Sequence, residues 1–269
     1  MRDLLVLEKL DVGYGKKLIN NIDLIVHPGS VYAFLSSNNC GKTTLIKTIA
    51  GINKKMDGEI FFEGKRLTTR TFKKYITNVG YVPEDYYEFA LCEKVIDELK
   101  YPLVHLNYGF VSIDRIVSRI ATFMEINNIL DKDITSLSMF DRLKVSIGCA
   151  IIHNPKLLLL DDVFRELSAK ERKEVYKIIK ALSDSFNIAV IFTTSDVNDV
   201  INIDNIYVIG DKKIFINGVF EDIIKDDNDL AKLGIDIPIM IDLSRKLEFY
   251  NLVDTIYYDV DEVVDSLWK

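Results

Sequence analysis

Histidine and cysteine are scarce, with three of each in 269 residues. Cys40, Cys92 and Cys149 stand at no metal-ligand spacing, and His27, His105 and His153 lie far apart beside ordinary core or turn residues. That scatter speaks against a zinc-type centre. An odd cysteine set also speaks against a secreted disulfide scaffold and fits a reducing cytosol. Long apolar runs are missing too. Stretches such as Ile147–Ile152 and Leu157–Leu160 fall far below the ~20 residues a bilayer crossing needs. Leu4–Leu7, behind Met1-Arg2-Asp3, is too short for the apolar part of a signal peptide. Positive charge is short as well: 34 Lys+Arg against 41 Asp+Glu leave a net charge of −7. A sequence-independent nucleic-acid binder wants a basic surface, so no nucleic-acid partner is expected. There is no internal repeat and no Gly/Ser linker. What remains is globular composition, 48% hydrophobic and 28% charged, in a chain long enough for one large α/β domain with or without an appendage.

Short β-like runs alternate with turns at the start. Leu4–Leu7, Ile22–Val26 and Glu59–Glu63 read as strands, separated by Gly13-Tyr14-Gly15, Pro28-Gly29 and Asp57-Gly58. Val31–Leu35 is a continuous apolar run, as expected of a strand buried on both faces. It leads into Ser36–Gly41 and then into a helix with Leu45, Ile46, Ile49 and Ala50 on one face, ended by Gly51. From about residue 86 to 149 the spacing is helical: Leu91, Val95, Ile96 and Leu99, then Ile113, Ile116, Val117, Ile120 and Met124. This predicts a helical subdomain inserted between sheet strands. Leu157–Leu160, a helix carrying Val175, Ile178, Ile179 and Leu182, and Ile188–Phe192 restore a βαβ rhythm and a parallel sheet. Beyond Asn217-Gly218 the pattern weakens, and residues 219–269 read as a small appendage of two or three helices.

The chemistry sits between the buried strand and its helix. In Ser36-Ser37-Asn38-Asn39-Cys40-Gly41-Lys42-Thr43-Thr44, successive amide groups and a helix N-terminus can wrap phosphate oxygens. Lys42 then neutralises the terminal phosphates and the Thr43 hydroxyl reaches Mg²⁺. One charge pair at 4 Å is worth roughly 4 kcal/mol at an effective dielectric near 20, so Lys42 is expected to dominate triphosphate affinity. The carboxylate that completes such a site follows an apolar strand, as in Leu157-Leu158-Leu159-Leu160-Asp161-Asp162, with Asp161 placed to hold Mg²⁺. The competing reading is a helix cap at Lys42 and a strand-end turn at Asp161. Cys40, ahead of a helix N-terminus, is open to alkylation, or is simply a small residue that fits.

With these motifs the chain resembles an ATP-binding-cassette ATPase over essentially its whole length. The resemblance implies an α/β P-loop NTPase with a RecA-like parallel-sheet core, an N-terminal antiparallel β subdomain, the inserted helical subdomain and the small C-terminal appendage. Residues 1–218 would form the ATPase domain and 219–269 the appendage. ATP and Mg²⁺ are the implied ligands. Tyr14 matches the aromatic residue that stacks on adenine, although alone it reads equally as a strand-end aromatic. Glu84, in Val79-Gly80-Tyr81-Val82-Pro83-Glu84, takes the place of the Q-loop glutamine and becomes a third metal contact beside Thr43 and Asp161. Leu137-Ser138-Met139-Phe140-Asp141 stands where the signature belongs, and Phe192-Thr193-Thr194-Ser195-Asp196 where the family has Thr-His-Asp. The tail, Leu233-Gly234-Ile235-Asp236-Ile237-Pro238 with Asp242–Leu247, is similar to the appendage of the ATPase subunits of energy-coupling factor importers. That likeness implies a second cassette ATPase, a transmembrane coupling protein and a separate membrane subunit that captures a micronutrient, with the chain peripheral on the cytoplasmic face. The run Glu84–Phe89 is where a basic coupling helix would dock, or else a solvated loop with aromatics tucked inward.

The departures from the family fall mostly on the chemistry. Ser36 and Asn39 replace glycines; asparagine tolerates positive φ, whereas serine costs ~1–3 kcal/mol if held in a strained region. Asp162 replaces the catalytic glutamate, and ~1 Å of misplacement costs on the order of 10²-fold. Ser195 replaces the histidine that contacts the γ-phosphate, and Arg165-Glu166-Leu167-Ser168 replaces the loop that links two sites across a dimer. Met139 and Phe140 fill the space of the signature glycines, leaving Ser138 either as a donor to a partner's phosphate or as a plain helix cap. Both halves of a shared site are altered, so a heterodimer with an unaltered partner is favoured over a homodimer. The second reading is a nucleotide-responsive regulatory subunit without useful turnover; a soluble cassette ATPase acting on DNA or ribosomes has no support in the acidic balance.

Overall fold

The computed structural model describes residues 3–267 apart from 89, 226, 256, 258 and 259. Its elements are β1 (Leu5–Tyr14), β2 (Lys16–Val26), β3 (Val31–Leu35), α1 (Lys42–Ile49), β4 (Asp57–Phe62), β5 (Lys65–Arg66), α2 (Thr69–Ile76), β6 (Val79–Val82), α3 (Val95–His105), α4 (Phe110–Phe123) and α5 (Met139–Ile151). They continue with β7 (Leu157–Leu160), α6 (Ala169–Phe186), β8 (Ala189–Thr194), β9 (Asn205–Gly210), β10 (Lys213–Gly218), α7 (Phe220–Ile223), α8 (Asp227–Lys232), α9 (Ile239–Phe249) and α10 (Val260–Leu267).

Strands that are apolar at every position need cover on both faces, and the central sheet has it. Its order is β10-β9-β3-β8-β7-β6. The five strands from β9 to β6 are parallel, and β10 is antiparallel to β9. Alternate residues serve two cores. Ala33, Leu35, Leu158, Leu160, Val190 and Phe192 face the layer of α3–α6. Tyr32, Phe34, Leu157, Leu159, Ala189 and Ile191 face α1 and a second sheet. That second sheet is antiparallel, in the order β2-β1-β4-β5. The α/β class, the parallel core and the N-terminal antiparallel unit are as the sequence implies.

Details differ where local signals mislead. β1 and β2 run well past Leu4–Leu7 and Ile22–Val26, because bulges let polar residues stay in register. Gly13 and Tyr14 continue the strand rather than ending it; a side chain at Gly13 would collide with the Lys16 carbonyl at 2.1 Å. Leu91, predicted on a helical face, lies before α3 and is 67% exposed. The tail holds four short helices among the described residues rather than two or three. Leu230, Ile235 and Ile241 from that tail join the same apolar cluster as the ATPase-like core.

Candidate functional site

The C-terminal ends of β3, β7 and β8 lie side by side, and each delivers part of one site. Beyond β3, the loop turns through two positive-φ residues, Asn39 at 64° and Gly41 at 99°. Ser36 does not adopt positive φ, so its backbone carries no left-handed strain. It is fully buried, its amide donates to the Thr194 carbonyl at 3.2 Å and its hydroxyl to the Ser37 carbonyl at 3.0 Å. The hydroxyl of Ser37 and the thiol of Cys40 are 3.1 Å apart, while Asn38 and Asn39 are exposed. α1 begins without a side-chain cap from Gly41, leaving its first amides open to an outside acceptor.

Lys42 is buried and folds back over the loop, donating to the carbonyls of Ser36 (2.8 Å) and Ser37 (3.1 Å). Burial holds its ammonium below the usual lysine range; the negative charges of Asp162, Asp161 and Glu84 oppose that loss of charge. Thr43 donates to Asp161 Oδ1 at 3.2 Å, bringing together two residues 118 positions apart. Thr193 donates to the same oxygen at 3.0 Å and Tyr81 to Oδ2 at 3.2 Å. Asp161 is fully buried, and burial pushes its carboxyl up, against the pull of these three hydroxyls. Thr44 is also buried, its carbonyl taking a hydrogen bond from Thr48.

Asp162 has φ of 48°, an uncommon backbone region for a side-chain-bearing residue. Its amide donates to Thr193 Oγ1 at 2.8 Å, which ties β7 to β8 at their ends. Burial raises its carboxyl too, with Lys42 opposing. Ser195 follows β8 directly and is half-buried. Around it lies a network that sequence reasoning missed. Arg172 on α6 donates to Asp196 (2.8 Å) and Asp199 (2.6 Å), Thr194 donates to Asp199 (2.6 Å), and Tyr176 donates to the Asp199 carbonyl. The one local signal was the Thr194-Ser195-Asp196 stretch, since nothing in the α6 periodicity marks Arg172.

The remaining predicted residues sit apart or are engaged otherwise. Glu84 accepts from Arg165 Nη1 at 3.0 Å. Tyr14, at the tip of the β1–β2 hairpin, is 62% exposed and accepts from Asn53 at 2.5 Å. Ser138 caps α5, accepting from the Asp141 amide at 3.1 Å and donating to its carboxylate at 2.9 Å. Phe140 packs partly into the core under Lys144. Of the run Glu84–Phe89, Tyr86 is buried against Tyr87, and Phe89 lies outside the described residues. Burial pushes the thiol of Cys149 up and the imidazole of His153 down.

Among the described residues no three His, Cys, Asp or Glu side chains converge to hold a metal by themselves. The Thr43 hydroxyl and Asp161 carboxylate still form an all-oxygen pair suited to a hard cation that takes its other ligands from phosphates and water. A groove of about 850 Å³ lies at the opposite end of the sheet, near Gly29, Lys177 and Asn205.

Residues 19–165 match the family described as ABC transporter. An energy-coupling factor transporter ATP-binding protein of Mesomycoplasma hyopneumoniae is 26% identical over 94% of this chain and 91% of its own. A putative ABC transporter ATP-binding protein of Methanocaldococcus jannaschii is 29% identical over 97% of this chain and 96% of its own. Among solved structures, cbiO1 of Clostridium perfringens, part of the ABC transporter complex cbiONQ, has a TM-score of 0.79. It covers 92% of this chain and all of its own at 22% identity, a likeness of fold.

Proposed function

Because the chain belongs to the ABC transporter family, whose match spans more than half of it, we propose that it is an ATP-binding subunit of an energy-coupling factor importer. It sits on the cytoplasmic face of a membrane, beside a transmembrane coupling protein and a micronutrient-capturing subunit. The observation that carries this reading is the junction of Lys42, Thr43 and Asp161 at the ends of β3 and β7. No described helix is long and apolar enough to cross a bilayer, in keeping with a peripheral role beside membrane subunits.

Each residue then has a role. Tyr14 stacks on adenine. The amides of Ser37, Asn38, Asn39, Cys40, Gly41, Lys42, Thr43 and Thr44 face phosphate oxygens, and Lys42 exchanges two carbonyl partners for a phosphate, where its charge counts for more. Thr43, Asp161 and Glu84 would hold Mg²⁺, which when bound would supply positive charge against the phosphates. Asp162 orients the attacking water, Ser195 offers a neutral donor to the terminal phosphate, and Ser138 serves the partner's nucleotide. A shorter Asp162, an uncharged Ser195 and a Ser138 already engaged with Asp141 favour a heterodimer with an unaltered cassette ATPase. They also motivate the second reading, a nucleotide-binding regulatory subunit with little or no turnover.

Phosphate release separates the two. The chain alone and mixed with its partner ATPase is assayed as wild type, Lys42→Ala, and Asp162→Glu with Ser195→His. The importer reading expects turnover in the mixture that Lys42→Ala reduces and the double replacement raises by about 10- to 100-fold. Turnover in the mixture indifferent to all three changes contradicts it.

A further inference from the structure

Two residues that depart from the family meet in this chain. Glu84 follows β6 and Arg165 lies in the turn before α6, and their side chains pair at 3.0 Å. They flank the small recess lined also by Tyr86, Tyr87, Asp162 and Glu166. Asp162 senses both, Glu84 raising its carboxyl and Arg165 lowering it, after the larger effects of burial and Lys42. The pair is 42% exposed on the carboxylate and 60% on the guanidinium. Such a pair is weak and within reach of solvent ions.

Glu84 is nonetheless engaged by a cation of the chain itself. A carboxylate held by a guanidinium offers less to a metal than a free one. We propose that Arg165 is a positioning residue that competes with Mg²⁺ for Glu84. The ion pair engages Glu84 in the metal-free chain, and metal loading exchanges that pair for a Glu84–metal contact, leaving the Arg165 side chain to solvent while Val163, Phe164 and Leu167 stay in the core. This inference rests on the reading of the Lys42 loop as a nucleotide and Mg²⁺ site.

The test is ATP binding by calorimetry in EDTA and across a MgCl₂ titration, for wild type, Arg165→Ala, Arg165→Lys, Glu84→Gln and the Arg165→Ala/Glu84→Gln double variant. Thermal unfolding confirms that each is folded, as expected for partly exposed side chains. Arg165→Ala should lower the Mg²⁺ concentration that half-saturates the affinity gain by about two- to fivefold, the size set by an exposed pair. Arg165→Lys should stay near wild type, and Arg165→Ala should have no effect once Glu84 is Gln. An unchanged Mg²⁺ requirement in Arg165→Ala, or an equal shift in the Glu84→Gln background, overturns the inference while ATP binding itself stands. Failure of the wild type to bind ATP with or without Mg²⁺ removes the underlying site and this inference with it.

Discussion

At the residue scale, the site is built from carboxylates that burial keeps reluctant to ionise. Asp161 and Asp162 are both raised, and Asp199, 2% exposed, is pushed up to about 6 by burial, against Thr194 and Arg172. The sign follows from linkage. An aspartate near 4 when unfolded and near 6 when folded leaves the folded chain holding more protons between those values. Stability therefore falls as pH rises from about 4 to about 6 and is level above. The span is on the order of 2–3 kcal/mol for Asp199. Denaturant unfolding at a series of pH values should show that Asp199→Asn flattens this part of the profile. An identical pH slope in wild type and variant would mean that the carboxyl is not raised.

At the element scale, the tail lies beside the loop that follows β3. Gly234 has φ of +69°, and a side chain there would lie 3.5 Å from Ser37 Cβ. Beside it, Leu233 occupies the space left open by Gly210, and Ile235 is buried in the core. Gly234→Val puts a branched side chain in a left-handed conformation, at a cost of about 1–3 kcal/mol. It should also weaken ATP binding, because the added carbons press on the loop at Ser37. A loss of stability with unchanged ATP affinity would show that the tail and the loop are energetically separate. The tail motif was visible in the sequence; its nearness to Ser37 was not, since the two lie almost 200 positions apart.

The same division between local and distant information runs through the rest of the fold. Val31–Leu35 and Leu157–Leu160 were legible to the residue because a strand buried on both faces is apolar throughout. Asn39 was legible as a left-handed turn from its own chemistry. The lengths of β1 and β2 were not, because bulges hide the alternation. Thr193 bridging Asp161 and Asp162, and Arg172 clamping the turn after Ser195, depend on side chains brought together by the sheet order. No spacing rule encodes such pairs.

At the scale of the whole molecule, one junction carries the account: strands β3, β7 and β8 end together, so that a loop with open amides, a buried lysine and a buried aspartate face one space. Everything proposed about partners and transport depends on a nucleotide occupying that space. The direct measurement is calorimetric titration of the purified chain with Mg·ATP, wild type beside Lys42→Ala. Saturable heat is expected for the wild type and a loss of affinity of about 10- to 100-fold for the variant, the size of a charge-assisted contact. No heat from the wild type at millimolar Mg·ATP, or equal affinity in both proteins, would contradict this expectation.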